Sequence, residues 1–283
     1  MKSLTSKTCV LVLALASAST TLFAESPVEQ AWGILRAGAN DKSADKRTEV
    51  VRALGLISDD AKAVEIAEHA LEDGKPAVRA AAATSLGLMG CKSCIGRLKS
   101  ILSDKEASVV LAAAHALWIL KDPAAYEVYY AVLTGERKSG GGLVTEGLET
   151  LQDKKKMAEF GVEEGLGFIP FAGIGYSAVK TLRKDDVSPV RAAAAAILAN
   201  DPDPKSGHAL ATAASGKSWI VRAAALDAIA KRGDPKLLNS IVPLMSDEKD
   251  VVRYNAAAAV IRLSDESGGA KQSKKGTIAK KRR

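Results

Sequence analysis

Pro76-Ala77-Val78-Arg79-Ala80-Ala81-Ala82-Ala83-Thr84-Ser85-Leu86-Gly87 is the stretch that decides the fold, because it returns elsewhere in the chain. It comes back as Val190-Arg191, followed by five alanines from Ala192, then Ile197 and Leu198. It comes back again as Val221-Arg222-Ala223-Ala224-Ala225-Leu226-Asp227-Ala228-Ile229 and as Val252-Arg253-Tyr254-Asn255-Ala256-Ala257-Ala258-Ala259-Val260. Self-similarity at a fixed period of this size marks a stack of like supersecondary units, each burying its apolar face against its neighbours.

The apolar residue seven places after each Arg gives markers at Leu54, Leu86, Leu117, Leu148, Leu198, Ile229 and Val260. The intervals are 32, 31, 31, 50, 31 and 31 residues, so the fourth equals one unit plus an insertion of 19. Each marker lies in an Ala-rich run of helical spacing, and alanine is both the best helix former and small enough for close helix packing. A second amphipathic stretch precedes the run, at 61–71, 95–102, 126–133 and 237–245. Turns such as Lys121-Asp122-Pro123 and Gly233-Asp234-Pro235 separate the two, with Pro and Asp where helices begin. The unit is therefore helix–turn–helix, repeated about seven times.

The motif Val-Arg-x-x-Ala-Ala-x-x-Leu, nearly intact at 78–86, 190–198, 221–229 and 252–260, resembles the HEAT repeat. The likeness is particularly to the short bacterial HEAT-like form first associated with phycobilisome lyases. Two units depart from the pattern, with Val109-Val110 in the third and Gly140-Gly141-Gly142 in the fourth. The resemblance implies an all-α, right-handed α-solenoid of about seven repeats whose second helices line the concave side. It also implies that Arg47, Arg79, Arg191, Arg222 and Arg253 form a structural ladder. Read from residues alone, such a row could instead bind phosphate or carboxylate groups.

The first 24 residues carry Lys2 and Lys7, then a short apolar core from Cys9 to Ala16, then small residues. This is the pattern of a secretory signal peptide cleaved after Ala24 or after Ala18, since the apolar core is too short to span a bilayer. The tail 267–283 holds seven basic residues and no acidic one. With these seven and the leader's two removed from the 40 Lys and Arg, 31 remain against 33 Asp and Glu. A near-neutral body lacks the basic field of a nucleic-acid binder, so any attraction to polyanions belongs to the tail.

Catalytic constellations are scarce. HEAT-like di-iron hydroxylases use repeated His-Glu pairs, and here His69, His115 and His208 are each followed by alanine. There is no Gly-x-Ser-x-Gly, phosphate loop or His-Glu-x-x-His. Cys91-Lys92-Ser93-Cys94 is the one redox-coloured motif. It falls in an inter-helix turn without a surrounding βαβ pattern, and in an oxidising compartment it reads first as a local disulfide between Cys91 and Cys94. Two thiols alone are half a zinc site. No cofactor and no metal site are expected.

The insertion contains fifteen consecutive uncharged residues, 165–179, with Phe168, Ile169 and Phe171 at its centre. Two readings stand beside each other: a protruding apolar hairpin that docks a partner or a membrane surface, and a loop packed over the degenerate fourth unit. The tail, lacking apolar periodicity, reads as disordered, with Lys280, Lys281, Arg282 and Arg283 as contacts for anionic lipid or envelope polymer.

The expected organisation is a signal peptide at 1–24, repeats one to four at 25–152 and an insertion at 153–170. Repeats five to seven follow at 171–266, then a basic disordered tail at 267–283. The expected function is a non-enzymatic, exported and periplasmic scaffold for an unidentified protein partner, with nucleic acid argued against. The alternative is a peripheral envelope-binding protein using the insertion and tail, and the third reading is a lyase-like or thiol-redox activity.

Overall fold

The computed structural model describes residues 25–58, 60–134 and 187–280. Among these residues every regular element is helical. The N-terminal series comprises α1 (Pro27–Ala39), α2 (Ala44–Leu54), α3 (Ala61–Ala70), α4 (Pro76–Leu88), α5 (Ile95–Ile101), α6 (Ala107–Ile119) and α7 (Ala124–Thr134). The C-terminal series comprises α8 (Ser188–Leu198), α9 (Pro204–Ala214), α10 (Trp219–Arg232), α11 (Leu238–Ile241) and α12 (Asp250–Lys280). The family-like stack read from the thirty-one-residue period is an α-solenoid.

Local chemistry sets the helix ends. Ser26 opens α1 with a capping box: its Oγ accepts from the Glu29 N–H at 3.2 Å, while the Glu29 carboxylate accepts from the Ser26 N–H at 3.1 Å. Ser43, Asp60 and Asp203 cap α2, α3 and α9 in the simpler way, each accepting from a backbone N–H of the first turn. α4, α8 and α9 start with proline in the first turn, where a missing N–H costs nothing. α10 stops at Gly233, whose φ of 66° is the left-handed cap that glycine adopts without strain.

The Ala-rich helices form one layer and the shorter amphipathic helices a second. Within the first layer α4 lies between α2 and α6, and α10 lies between α8 and α12. α3 backs onto α4, α5 onto α6, and α9 onto α10. Helices flanked on both sides must be apolar nearly all round, and in α4 the run Val78 to Ala83 is buried entirely, Arg79 included. The markers Leu54, Leu86, Leu117, Ile229 and Val260 are each 0 % exposed, a burial worth about 1.5–3 kcal/mol apiece relative to exposure. Leu198 is only partly buried, because α8 has an Ala-rich neighbour on one side alone among the described residues.

The order of the row in space differs from its order in the chain. α12 packs against both α1 and α2, so the last repeat precedes the first. The Ala-rich helices therefore run α8, α10, α12, α2, α4, α6, and α7 and α8 stand at opposite ends.

The tail expected to be disordered is helical to Lys280, as a continuation of α12. Lys, Gln and Ala are good helix formers, and a helix already nucleated by packing extends without a new nucleation cost. The leader 1–24, the fourth marker Leu148, the insertion 153–170 with Phe168 and Ile169, the adjoining Phe171, and Lys281, Arg282 and Arg283 lie outside the described residues.

Candidate functional site

The arginine ladder is built from two contacts per rung. Arg47 Nε donates to Asp73 Oδ2 at 2.7 Å and its Nη2 to Asp73 Oδ1 at 2.9 Å. Arg79 makes the same fork with Asp104 at 2.7 and 2.9 Å, and Arg222 with Asp247 at 2.8 and 2.9 Å. Each aspartate belongs to the turn of the following repeat. The third guanidinium nitrogen folds back onto carbonyls of the arginine's own turn: Asp41 at 2.9 Å for Arg47, Asp73 at 2.9 Å for Arg79, Lys217 at 3.0 Å for Arg222. Each arginine thus staples two repeats, and its bidentate geometry is the strong form of the contact.

The electrostatics agree with the geometry. Hydrogen bonding from Arg47 holds the Asp73 carboxyl below its usual range against the opposing effect of burial. Burial pushes Asp104 and Asp247 upward, but the hydrogen bonds from Arg79 and Arg222 and from the backbone N–H of Glu106 and Lys249 outweigh it and leave both carboxyls lowered. The guanidinium groups of Arg47 and Arg79 are held even more firmly in the charged form by the same aspartates.

Two ladder positions break the pattern. Arg253 keeps the bond to its own turn, donating to the Asp247 carbonyl at 2.8 Å, but its other end pairs with Asp250 of the same helix. Asp41, in the turn of the next repeat in space, accepts from the Ser43 N–H at 2.8 Å and faces Lys46 at 3.5 Å. Arg191 is exposed, and Gly216 stands where its aspartate partner would be. An anion-binding row of five free arginines is not what these positions form: four of the guanidinium groups, those of Arg47, Arg79, Arg222 and Arg253, are engaged by carboxylates and carbonyls.

Cys91 and Cys94 are joined by a disulfide across the turn Lys92–Cys94, with Cα atoms 5.4 Å apart. Cys91 is 8 % exposed and Cys94 0 %, so little sulfur surface faces solvent for a partner thiolate to attack. Among the described residues no group of three or more His, Cys, Asp or Glu could hold a metal ion. No described helix is long and apolar enough to cross a membrane.

The large apolar side chains left exposed among the described residues sit at the two ends of the row, apart from Leu88 of α4. On the α6–α7 side Trp118, Tyr126, Tyr130 and Leu133 are more than half exposed, the last at 83 %. Trp118 stacks on His115 with ring centroids 5.7 Å apart, and burial lowers the His115 pKa, which favours the neutral ring. On the α8 side Val187, Val190 and Ile197 are exposed. Sequence reading missed the aromatic face of α7, because Tyr126-Glu127-Val128-Tyr129-Tyr130 reads as part of an ordinary amphipathic helix until its neighbours are known. It also missed Arg232, which reaches back across a repeat to the carbonyls of Asp201 and of Asp203, the latter at 2.8 Å.

The family model for HEAT repeats matches residues 64–136 and 177–261, more than half of the chain. No curated protein matches the sequence. Two solved structures resemble it over most of its length. One is human deoxyhypusine hydroxylase in complex with glycerol: 21 % identity, 85 % of this chain and 86 % of that chain covered, TM-score 0.30. The other is the complex of CpcE and CpcF of phycocyanin lyase from Nostoc sp. PCC7120: 20 % identity, 84 % and 95 % covered, TM-score 0.33.

Proposed function

The chain belongs to the HEAT-repeat family, and from that premise we propose that it is an exported scaffold that binds a protein partner in the cell envelope without catalysing a reaction. One observation carries this reading: the aromatic face of Trp118, Tyr126 and Tyr130 is exposed to solvent while Arg47, Arg79 and Arg222 are turned inward. Large amphipathic rings on a rigid helix are the residues that anchor protein interfaces, because they bury much area at little entropic cost. The leader pattern at 1–24 is what supports export, and with it the periplasmic location proposed here.

The test places a photo-crosslinking amino acid at Tyr130 and, separately, at Lys205 in α9, in cells fractionated into cytoplasm and envelope. The proposal expects a mature chain shortened at its N-terminus in the envelope fraction and a discrete adduct from position 130 alone. A full-length chain in the cytoplasm, or equal adducts from both positions, overturns it.

A further inference from the structure

The junction between the last repeat and the first lacks the contact that ties most of the described repeats. Three junctions carry a buried Arg–Asp fork, Arg47 with Asp73, Arg79 with Asp104, and Arg222 with Asp247, and the α8–α10 junction, where Gly216 stands in the place of an aspartate for Arg191, has Arg232 bonded to the carbonyls of Asp201 and Asp203. At this seam the two residues in the corresponding places, Arg253 and Asp41, bond within their own repeats instead. The ion pair that does cross, Lys46 with Asp250, is long at 3.9 Å, and both side chains are substantially solvated. Exposed pairs of that kind contribute little.

In place of the fork the seam has a knob and a socket. The residue after the ladder arginine is small in the other repeats, namely Thr48, Ala80, Ala192 and Ala223, but is Tyr254 in the last. Its ring is 5 % exposed and lies on Gly38 of α1. A Cβ at Gly38 would come within 2.8 Å of Tyr254 Cε1 and 2.4 Å of Val50 Cγ2, so only glycine leaves room for the ring. The corresponding positions in other units, Ala70, Ala213 and Leu244, all carry a side chain. Van der Waals packing specifies this junction, and a fork does not reinforce it.

We propose that the seam between α12 and α1–α2 is the joint at which the row opens, with Tyr254 in its Gly38 socket as the latch. The halves 25–134 and 187–280 part there as units before either loses its internal rungs. Opening bares an apolar strip around Tyr254, Val50 and Leu35, all of which are buried when the seam is shut.

Hydrogen exchange of the full chain, read by mass spectrometry on peptides from α1, α4, α6 and the 250–262 part of α12, tests this without cutting the protein. Amides of α1 and of 250–262 are expected to share one level of protection, at least about tenfold below that of α4 and α6. Tyr254→Ala should lower protection in both seam segments by a further tenfold or more, and leave α4 and α6 within about twofold. Arg79→Ala should do the reverse, loosening α4 and α6 ahead of the seam. Equal protection of seam and α4–α6 in the unaltered protein overturns the proposal without any variant. Loosening of 250–262 without α1 overturns it as well. Exchange at the seam that depends on protein concentration would place the contact between two copies and equally refute a joint within one chain.

Discussion

Gly87 gives the sharpest check on how closely the Ala-rich helices approach. A Cβ built there would lie 2.7 Å from Ala116 Cα and 2.8 Å from Ala116 Cβ, which are backbone and near-backbone atoms of α6. Such atoms cannot rotate away as a flexible side chain would, so α4 and α6 must part by roughly 1 Å to reach ordinary carbon–carbon contact. Overpacking of that kind costs about 1–3 kcal/mol. Working against it, Gly→Ala inside a helix gains about 0.5–1 kcal/mol through reduced backbone entropy in the unfolded chain. Gly87→Ala should therefore lose on the order of 1–2 kcal/mol net, a fall in the thermal midpoint of about 2–8 °C for a chain of this size. Gly33, with nothing within 4 Å of its built Cβ, isolates the favourable term, and Gly33→Ala should raise the midpoint by roughly 1–4 °C. Circular dichroism at 222 nm during heating reads both variants against the unaltered protein. A Gly87→Ala protein as stable as Gly33→Ala would mean that α4 and α6 are not in contact at this point, and the close-packed row would be wrong.

The rungs make further predictions. Arg79→Ala strands the largely buried Asp104 carboxylate and should cost about 3 kcal/mol in urea unfolding, whereas the double change with Asp104→Asn should recover part of it. Because Asp73, Asp104 and Asp247 are lowered in the folded chain, their contribution is present above the unfolded carboxyl value of about 3.9 and is lost as pH falls through the folded values. Unfolding midpoints between about pH 5 and pH 2 should drop steeply, and Arg79→Ala should flatten that slope; an unchanged slope would count against the rung. The Cys91–Cys94 bond closes so short a loop that its reduction should lower the midpoint by the equivalent of about 2 kcal/mol or less, and a larger loss would mean the turn does more than staple α5. Binding of the full chain to anionic vesicles through 267–283 should collapse between 0.05 and 0.5 M salt, by flotation assay; binding that persists at high salt would implicate an apolar surface instead.

The repeat and its helices were legible because their signals are local and redundant. Val-Arg-Ala-Ala recurs at a fixed interval, and Ser26, Asp60 and Asp203 mark helix starts by chemistry that needs no distant partner. The ladder was legible as a row of arginines, but its partners were not. Asp73, Asp104 and Asp247 lie 25 or 26 residues downstream, where only stacking brings them into reach. The order of the row was not legible at all, since a period fixes what each unit looks like and leaves open which unit caps which. Yet the exceptions were printed in the sequence. Gly216 stands where the partner of Arg191 is due, and Tyr254 follows its ladder arginine where the other ladder arginines are followed by Thr or Ala, opposite Gly38, which leaves room to receive it. In a repeat array the consensus positions encode the stack, and the departures encode its ends and joints. The seam at Tyr254 is such a departure, where one repeat meets something other than its next neighbour in the chain, and the exposed aromatics of α7 lie at one end of the described row. A partner that seats on an array of this kind is recognised at such places, because the repeated faces are already spent on one another.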